Sequence, residues 1–532
     1  HRMNNEFETK CNETLNGLII KYKDDEYMKQ RVYNHIVNYL PNTLDNEMKN
    51  HEKRVIRNNY LTNEQHIFIQ VFLSKNKFFY LPNNNFFYEY DGEKYLIVKE
   101  DDVIHKLLSS ISKDRTLLQW KYKTKINIIR QIKDRSLFSS IPETDTIQNV
   151  LNVLYPSFFQ SKNFAKYFLT IIGDNILKKH SNLIFIISQK MKQLLTELDN
   201  VAILSIGNSN VTSNFMTRYH ENHLYENCRL IKINESFSSD VWREILKKIG
   251  LDLLCVAVHY SNRYDSSDKF IETKSDEELQ TYSQYIKNKN YNDIVSEFCS
   301  KYILESVELE PKSCMIEWKY LHFVWKQFLS DTNLPSIIYS NTLKNLFKKM
   351  YEYDETCDCF KGITSKFVPV HRDFINFWEQ NITVVIPETD VLFDNEIEID
   401  ELCYLFKSWS KTSSDNMMKN GNITEENVIK ILKHFFPNVE IVEDKFALNI
   451  SCSMWNKTND INGSFEYIKE QFQIKNKLAL ISFDDAYNYY YKYCNSSQLK
   501  FIVSKRFFEK YLYYKFTDHI VYEKFIELIH LQ

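Results

Sequence analysis

The glycines constrain this chain more than any other feature. Only eight occur in 532 residues, and the two nearest neighbours, Gly173 and Gly207, are 34 residues apart. A phosphate-binding loop needs glycines a few residues apart, because backbone N–H groups must surround the anion. The sequence therefore contains no P-loop, no GxGxxG, no GxSxG elbow and no protein-kinase glycine loop. We expect a protein without a cofactor and without enzymatic activity, unless residues far apart in sequence form a dispersed active site.

Composition indicates the class of protein and its compartment. Hydrophobic residues make up 43% of the chain and charged residues 26%, so several cores and more than two domains are expected. No apolar run is long enough to cross a bilayer, and the first ten residues lack a signal-peptide core. The ten cysteines have no repeated spacing, which is typical of reduced thiols. We expect a cytoplasmic or nuclear protein that does not associate with membranes.

Two clusters contain metal-ligating residue types without the spacing of a metal site. His220 and His223 are three residues apart, with Cys228 nearby, whereas two imidazoles on one helical face need a spacing of four. The second cluster consists of Cys357, Asp358, Cys359 and His371. It has no second cysteine pair. We expect no metal site at either cluster, and we interpret the acidic segment 387–401 as a solvated linker that leads into a helix.

The order of predicted elements indicates a helix-rich, multidomain α+β protein. Two winged-helix-like modules are expected to flank a central mixed α/β block. The predicted domains are a helical segment at 1–58, a winged-helix-like module with further helices at 59–180, the central block at 181–370, a second winged-helix-like module at 371–460, and an aromatic, basic helical tail at 461–532. Pro41 should break the first helices, and Thr62 with Gln65 should form a capping box that begins the next one.

Residues 78–98, "FFYLPNNNFFYEYDGEKYLIV", carry many aromatic rings around three asparagines. The pattern predicts a strand, a turn and a second strand that bends at Asp91-Gly92. Because side chains alternate across a strand, Phe79 and Phe87 should face a core, while Tyr80 and Tyr88 should be more exposed. Tyr88 could then stack on a nucleic-acid base. A purely structural hairpin is the alternative.

A basic helix is predicted immediately downstream, at 120–135. It carries six cations and one acid, Asp134, which gives a local charge of +5. The cations are Lys121, Lys123, Lys125, Arg130, Lys133 and Arg135. Ile126, Ile129 and Ile132 are expected to form the packed stripe, so that the cations could contact phosphates. A solvated helix face is the alternative interpretation.

The remaining elements follow from periodicity. In the central block "NLIFIIS", "VAILSIG" and "CRLIKIN" predict strands, and "SDVWREILKKIG" and "EELQTYSQYIKNKN" predict helices. Residues 399–450 predict helix, helix, strand, strand. Paired phenylalanines before Pro-Asn in "FFYLPNN" and "HFFPNV", and the pentapeptide IPETD at 141–145 and 386–390, are weak signs that the two predicted modules arose by duplication.

The C-terminal motifs suggest a family. "AYNYYYKYC" followed by "FIVSKRFFEKYL" resembles the C-terminal region of D5-type primase-helicases of nucleocytoplasmic large DNA viruses, and "FINFWEQ" with "EIDELCYLFKSW" is similar to the helical region before it. The resemblance covers about the last 160 residues, and more loosely 120–190. It implies a nucleic-acid-facing role for Lys505, Arg506 and Lys510. Those helicases have Walker A and B motifs, whereas this chain has no Walker A, so the resemblance implies no motor activity for this chain.

Together these patterns predict a non-enzymatic, nucleic-acid-associated accessory protein of viral replication or transcription machinery. The net charge of −3 means that any nucleic-acid surface must be a local patch. Two alternatives stay open. One is a scaffold that joins viral or host proteins through winged-helix modules; the other is a degenerate superfamily 3 helicase relative that has lost ATP binding. The sequence does not distinguish DNA from RNA.

Overall fold

The structure is a computed structural model that describes residues 2–179, 181–219, 223–305, 314–385, 393, 395–412, 422–475 and 479–531. Within these ranges the protein is helix-rich α+β with several small sheets, as predicted. The chain divides into two compact units, unit 1 at His1–Asn288 and unit 2 at Lys289–Gln532.

Unit 1 contains eleven α-helices and six strands in its described part. The helices are α1 (Arg2–Lys21), α2 (Glu26–Asn34), α3 (Leu40–Lys75), α4 (Glu100–Ser112), α5 (Lys121–Lys133), α6 (Thr144–Leu154), α7 (Lys162–Ile176), α8 (Gln189–Ile206), α9 (Ser239–Tyr264), α10 (Ser267–Thr273) and α11 (Glu277–Ser283). The strands are β1 (Lys77–Leu81), β2 (Phe86–Tyr90), β3 (Tyr95–Val98), β4 (Ile184–Ile186), β5 (Phe215–Met216) and β6 (Cys228–Leu230).

The aromatic stretch forms an antiparallel sheet in the order β1-β2-β3, so Asp91-Gly92 belongs to a second turn rather than to a bend. Phe79 pairs with Tyr88, and Tyr80 pairs with Phe87. Opposite residues of an antiparallel pair share a face. One face joins the core of α6–α9 and includes Tyr88, while the other joins α3, α4 and α5 and includes Phe87. The sheet is therefore a middle layer, and its rings fill two cores.

The chain stays helical past both positions where a break was predicted, because α2, a π-helical turn at His35–Tyr39 and α3 follow one another without a gap. Pro41 lies in the first turn of α3, where no backbone N–H is needed for an intrahelical bond. Thr62 does not cap a helix, because its hydroxyl donates to Asn58 O, one turn back, with an Oγ1–O distance of 2.7 Å. The predicted boundary at residue 58 consequently lies inside a continuous helix.

Helices α7 and α9 pack closely in the core of unit 1, and this contact requires a glycine. A Cβ atom on Gly173 of α7 would lie 2.1 Å from the backbone oxygen of Ala257 in α9. Such a separation is far inside van der Waals contact, so any larger residue would push the helices apart. One of the few glycines of this chain therefore serves helix packing.

A small parallel sheet, in the order β5-β4-β6, follows α7. Two of the three predicted strands, "NLIFIIS" and "CRLIKIN", contain β4 and β6. The third, "VAILSIG", is instead the last two turns of α8, because Leu194, Leu198, Ala202 and Ile206 are buried at helical spacing. Gly207 ends α8 in the left-handed conformation, with φ 67°.

Unit 2 contains nine α-helices and thirteen strands in its described part. The helices are α12 (Tyr291–Tyr302), α13 (Trp318–Asp331), α14 (Ser340–Met350), α15 (Val368–Asn381), α16 (Ile399–Thr412), α17 (Glu425–Phe435), α18 (Lys457–Lys475), α19 (Phe483–Ser496) and α20 (Lys505–Lys515). The strands are β7 (Leu304–Glu305), β8 (Met315–Glu317), β9 (Tyr353–Asp354), β10 (Cys359–Lys361), β11 (Ile363–Thr364), β12 (Ile382–Val384), β13 (Glu396–Glu398), β14 (Ile441–Val442), β15 (Phe446–Leu448), β16 (Ile450–Cys452), β17 (Leu480–Ser482), β18 (Ile520–Val521) and β19 (Phe525–Glu527).

The same element order occurs three times in the described part of unit 2. Each repeat has a helix, a strand, two helices and a two-stranded hairpin, and the last strand lies between the other two. The sheets are β8-β10-β9 in repeat 1, β13-β15-β14 in repeat 2 and β17-β19-β18 in repeat 3. The first helices are α12, α15 and α18. The central block predicted at 181–370 therefore ends in a repeat of the same kind as the module predicted at 371–460.

Equivalent positions of the repeats carry equivalent packing. Buried Ile316, Ile397 and Ile481 lie at the middle of the first strands. They pair with Phe360, Ala447 and Ile526 of the last strands, respectively. The hairpins of repeats 2 and 3 also share a sequence, "IVEDKF" at 441–446 and "IVYEKF" at 520–525, with positive φ at the third and fourth residues of each. The internal similarity thus lies in unit 2, not between 59–180 and 371–460.

Candidate nucleic-acid interface

Helix α5 presents a basic face to solvent. Its outer face consists of Lys123, Ile126, Arg130 and Lys133, all of them exposed. These residues lie on the side opposite Ile128 and extend for about 15 Å along the helix axis. Tyr122 flanks them with 73% of its surface exposed. An exposed aromatic ring beside a row of cations was missed from the sequence, where Tyr122 is one tyrosine among 35.

The packed side of α5 differs from the predicted stripe. Thr124, Ile128 and Ile132 are buried, whereas Ile126 is 49% exposed. Gln65 of α3 explains the shift, because its amide donates to Thr124 Oγ1 at 2.9 Å and accepts from Asn127 Nδ2 at 3.0 Å. A polar residue therefore belongs to the packed side. The helix is rotated so that Lys123, Arg130 and Lys133 point outward.

The other predicted cations of this segment lie at its edges. Lys121 and Lys125 are half-buried, and Lys121 donates to Ser112 Oγ at 3.3 Å. Arg135 is exposed, but its guanidinium donates to Leu73 O at 3.4 Å. On the outer face, the ammonium of Lys133 lies 3.9 Å from Glu100, a distance at which an exposed pair is weak. The outer face thus keeps a net positive charge.

The basic residues of α20 have a different environment. Arg506 and Lys510 each lie 3.0 Å from a carboxylate oxygen of Glu396, whose side chain is only 3% exposed. The Arg506 guanidinium also lies 3.7 Å from the centre of the Phe446 ring. Lys505 forms an ion pair with Asp484. The three cations predicted for nucleic-acid contact therefore neutralise carboxylates of unit 2.

The prediction that Tyr88 is exposed is wrong. Its side chain is completely buried, and burial raises its pKa to about 12. The hydroxyl donates to Ser205 O at 2.5 Å and accepts from Asn84 Nδ2 at 2.9 Å. The error came from the pairing between strands: Tyr88 lies opposite Phe79, and that face packs against α6–α9. Tyr88 cannot stack on a base in this structure.

The metal-ligand candidates do not assemble into a site within the described residues, where no group of three His, Cys, Asp or Glu could hold an ion. His220 lies outside these residues. Burial raises the pKa of Cys228 to about 11, and that of Cys359 likewise, which disfavours the thiolate that a metal needs. The side chain of His371 is buried.

The acidic segment 387–401 is not simply a solvated linker. Residues 386–392 and 394, which include the whole of the second IPETD, lie outside the described residues. Among the described carboxylates, Glu396 binds Arg506 and Lys510, and Glu401 forms an ion pair with buried Lys457. Burial raises the pKa of Glu401. These acids hold repeats 2 and 3 together.

No protein-family model matches this chain, and no curated protein is significantly similar to it. The resemblance to D5-type primase-helicases therefore stays a prediction. Among the helices in the described ranges, none has both the length and the apolar composition that crossing a bilayer requires.

Proposed function

We propose that this protein is a non-enzymatic, nucleic-acid-associated accessory protein of viral replication or transcription machinery, and that α5 supplies its phosphate contacts. The outer face of α5 is the observation that supports this proposal. Lys123, Arg130 and Lys133 extend from a helix whose other side is fixed by Ile128, Ile132 and the Gln65 hydrogen bonds. A rigid row of cations positions phosphates without reading sequence. DNA and RNA backbones both fit this chemistry.

The three repeats of unit 2 also support this proposal, through their strand connectivity rather than through particular side chains. Their strand order, with the last strand between the first two, is the connectivity of a winged helix, so we interpret each repeat as a winged-helix module. In such a module the second helix of the helix pair would enter the major groove. Those helices are α14, α17 and α20. The D5-type resemblance falls on repeats 2 and 3.

A second candidate function, a protein scaffold, is favoured by the ion pairs of those same helices. In α14, Lys344 lies 2.8 Å from Asp358 and Lys348 lies 3.8 Å from Glu355, both in the hairpin of repeat 1. In α20, Arg506 and Lys510 bind Glu396. Cations that are already neutralised release fewer counterions from DNA. The modules of unit 2 would then join proteins rather than bind a duplex.

The degenerate-helicase alternative has one feature in its favour, the parallel sheet β5-β4-β6. However, only Ile187 and Ser188 separate β4 from α8. Lys192, in the first turn of α8, donates to Phe215 O at 2.9 Å. A two-residue connection cannot surround a triphosphate. The proposal therefore includes no ATP-driven step.

The test is fluorescence polarisation with labelled single-stranded DNA, duplex DNA and RNA, titrated with salt. The variant K123Q/R130Q/K133Q should bind at least about tenfold more weakly, and its log–log salt slope on duplex DNA should fall by about 2.7, or about 0.9 for each cation removed. The matched control is K247Q/K248Q/K274Q, which removes three exposed lysines of unit 1 outside α5. The control should retain wild-type binding.

Two results would contradict the proposal: no binding of any probe at low salt, or equal losses in the two triple variants. A pull-down from cells with and without nuclease separates it from the scaffold function. Partners that remain bound after nuclease treatment favour the scaffold, whereas partners that are lost favour attachment through nucleic acid.

A further inference from the structure

A pocket of about 610 Å³ lies in unit 2, between repeats 2 and 3. One wall is α16 of repeat 2, and the other is the segment 500–502, which leads from α19 to α20 in repeat 3. The volume is within the range of about 300–1,000 Å³ that is usual for small-molecule sites. The pocket is separate from α5, which belongs to unit 1.

The rim of the pocket is cationic. Lys407, Lys411 and Lys500 line it, and all three are exposed. Glu401 also lines the pocket, but its carboxylate is paired with buried Lys457, whose ammonium in addition donates to Glu396 O at 3.2 Å. The acid in the wall is therefore compensated by a cation beneath it. The three rim lysines leave a positive potential at the opening.

The inside of the pocket is aromatic. Tyr404, Trp455 and Phe501 line it together with the three lysines. The Trp455 and Phe501 rings lie 5.2 Å apart, and the Trp455 indole N–H donates to Asp460 Oδ2 at 2.8 Å, which fixes the orientation of that ring. Tyr404 is 66% exposed. Flat rings beside exposed cations match a ligand that combines an aromatic group with an anionic group.

We propose that this pocket binds a nucleotide, with the base against the aromatic rings and the phosphate against Lys411 and Lys500. An apolar ligand would not use the lysines, and a simple anion would not use the rings. Base stacking tolerates any of the common bases, because each has a π face. The same chemistry is present in a free nucleotide and in the 5′-terminal nucleotide of a single strand.

The experiment is isothermal titration calorimetry on the full chain carrying K123Q/R130Q/K133Q, so that strand binding at α5 does not contribute. The ligands are ADP, adenosine, inorganic phosphate and a 5′-phosphorylated hexathymidylate. ADP should bind saturably, and more tightly than adenosine or phosphate alone. Adding K411Q/K500Q should weaken ADP binding by about tenfold or more, because two charged partners of the phosphate are removed. K492Q, an exposed lysine on α19, is the matched control and should leave it unchanged.

A second variant, F501L, tests the aromatic half of the site. It keeps apolar volume but removes a ring, and ADP binding should fall about fivefold or more, consistent with the loss of one base stack. Competition between the hexathymidylate and ADP would identify a strand terminus as the ligand, and its absence would identify the free nucleotide. The proposal is overturned if neither ADP nor the hexathymidylate binds at millimolar concentration, or if phosphate binds as tightly as ADP. It is also overturned if the affinity for ADP is unchanged in K411Q/K500Q or in F501L.

Discussion

Helices α5 and α20 resemble each other in that both are short and rich in lysine and arginine. Their cations have different partners. On α5, Lys123, Arg130 and Lys133 are exposed, and among the residues that the structure describes their one carboxylate partner is Glu100, 3.9 Å from Lys133. On α20, Arg506 and Lys510 surround the buried carboxylate of Glu396. A basic helix can therefore present its cations to solvent or use them as an internal counter-charge, and the deciding acid can be more than a hundred residues away.

The two units also differ in their buried titratable groups. In unit 1, burial raises the pKa of Asp252 to about 6. In unit 2, burial lowers the pKa of His322, His371 and His434 to about 4 each. These histidines lie around Phe323, whose ring centre is 4.9 Å from His371 and 5.1 Å from His434. A fall in pH should therefore destabilise the folded state at the histidine site of unit 2 and stabilise it at Asp252 of unit 1.

The largest expected effect is the acid sensitivity of this histidine cluster. The folded pKa values are below the unfolded value, so the unfolded chain takes up protons first as the pH falls. The stability that depends on neutral histidines is complete above about pH 6.5 and is lost between pH 6.5 and 4. At pH 5 the loss should be about 2 kcal/mol for His371, which is almost fully buried, and less for the half-buried His322 and His434, where water screens the charge. The nearby ammonium of Lys326 opposes protonation of His322 and His434.

Urea unfolding followed by tryptophan fluorescence measures this effect, because Trp318, Trp325, Trp378, Trp409 and Trp455 all belong to unit 2. Buried acids with raised pKa, such as Glu401, act in the opposite direction, so wild type is compared with H322Q/H434Q at each pH. The variant should lose less stability than wild type between pH 7.5 and 5. The control variant H51Q, at an exposed histidine, should lose as much stability as wild type. If wild type and H322Q/H434Q lose the same stability between pH 7.5 and 5, the cluster does not titrate.

The next effect concerns Glu396. R506Q/K510Q removes both cations from a buried carboxylate and should destabilise unit 2 by about 2–4 kcal/mol, because an uncompensated buried charge is left. Adding E396Q should recover part of this loss. The comparison variant K123Q/R130Q should change stability by less than about 0.5 kcal/mol, since its residues are exposed. Urea unfolding at pH 7.5 measures the stability of the two double variants and of the triple variant with E396Q. If R506Q/K510Q and K123Q/R130Q lose the same stability, the distinction between α5 and α20 is wrong.

These contrasts show what the sequence could predict. Local patterns found the strand pairs, the basic helix and the order helix, helix, strand, strand of repeat 2. Contacts distant in sequence were not predictable, because neither the packing of the Tyr88 face against α6–α9 nor the Glu396–Arg506 contact leaves a local signal. The Gln65 hydrogen bonds that rotate α5 are of the same kind. The "IVEDKF" and "IVYEKF" hairpins were readable and would have revealed the repeats of unit 2.

A smaller effect, of opposite pH dependence, is expected in unit 1. Asp252 accepts a hydrogen bond from Tyr95 N at 2.8 Å, and burial raises the pKa of its carboxyl to about 6. The folded state therefore holds this proton more tightly than the unfolded state, and its stability falls as the pH rises from about 4 to 6. D252N keeps an acceptor oxygen without the charge, so it should stabilise unit 1 by about 2 kcal/mol at pH 7 and by little at pH 4.

Hydrogen–deuterium exchange of peptides from α7 and α9 measures this change within unit 1. Slower exchange in D252N at pH 7, with no difference at pH 4 after correction for intrinsic rates, is the expected result. D240N, at an exposed carboxylate in the first turn of α9, is the matched control. A D252N variant that exchanges faster at both pH values would indicate that the charged hydrogen bond to Tyr95 outweighs the burial of the carboxylate.

The smallest effect distinguishes two tyrosines, buried Tyr88 in the sheet and exposed Tyr122 on α5. Y88F removes a hydroxyl that donates to Ser205 O and accepts from Asn84, and it should destabilise unit 1 by about 1 kcal/mol without changing nucleic-acid affinity. Y122A should do the reverse: stability should change by less than about 0.5 kcal/mol, while affinity for single strands should fall by about 1–3 kcal/mol if the ring stacks on a base beside Lys123. Hydrogen-exchange protection of β2 measures the stability of unit 1, and fluorescence polarisation measures the affinity for nucleic acid.

Two outcomes would contradict this distinction between the tyrosines. Loss of binding in Y88F with unchanged exchange protection would mean that the aromatic sheet opens to nucleic acid. Unchanged binding in Y122A would restrict the role of α5 to phosphate contacts.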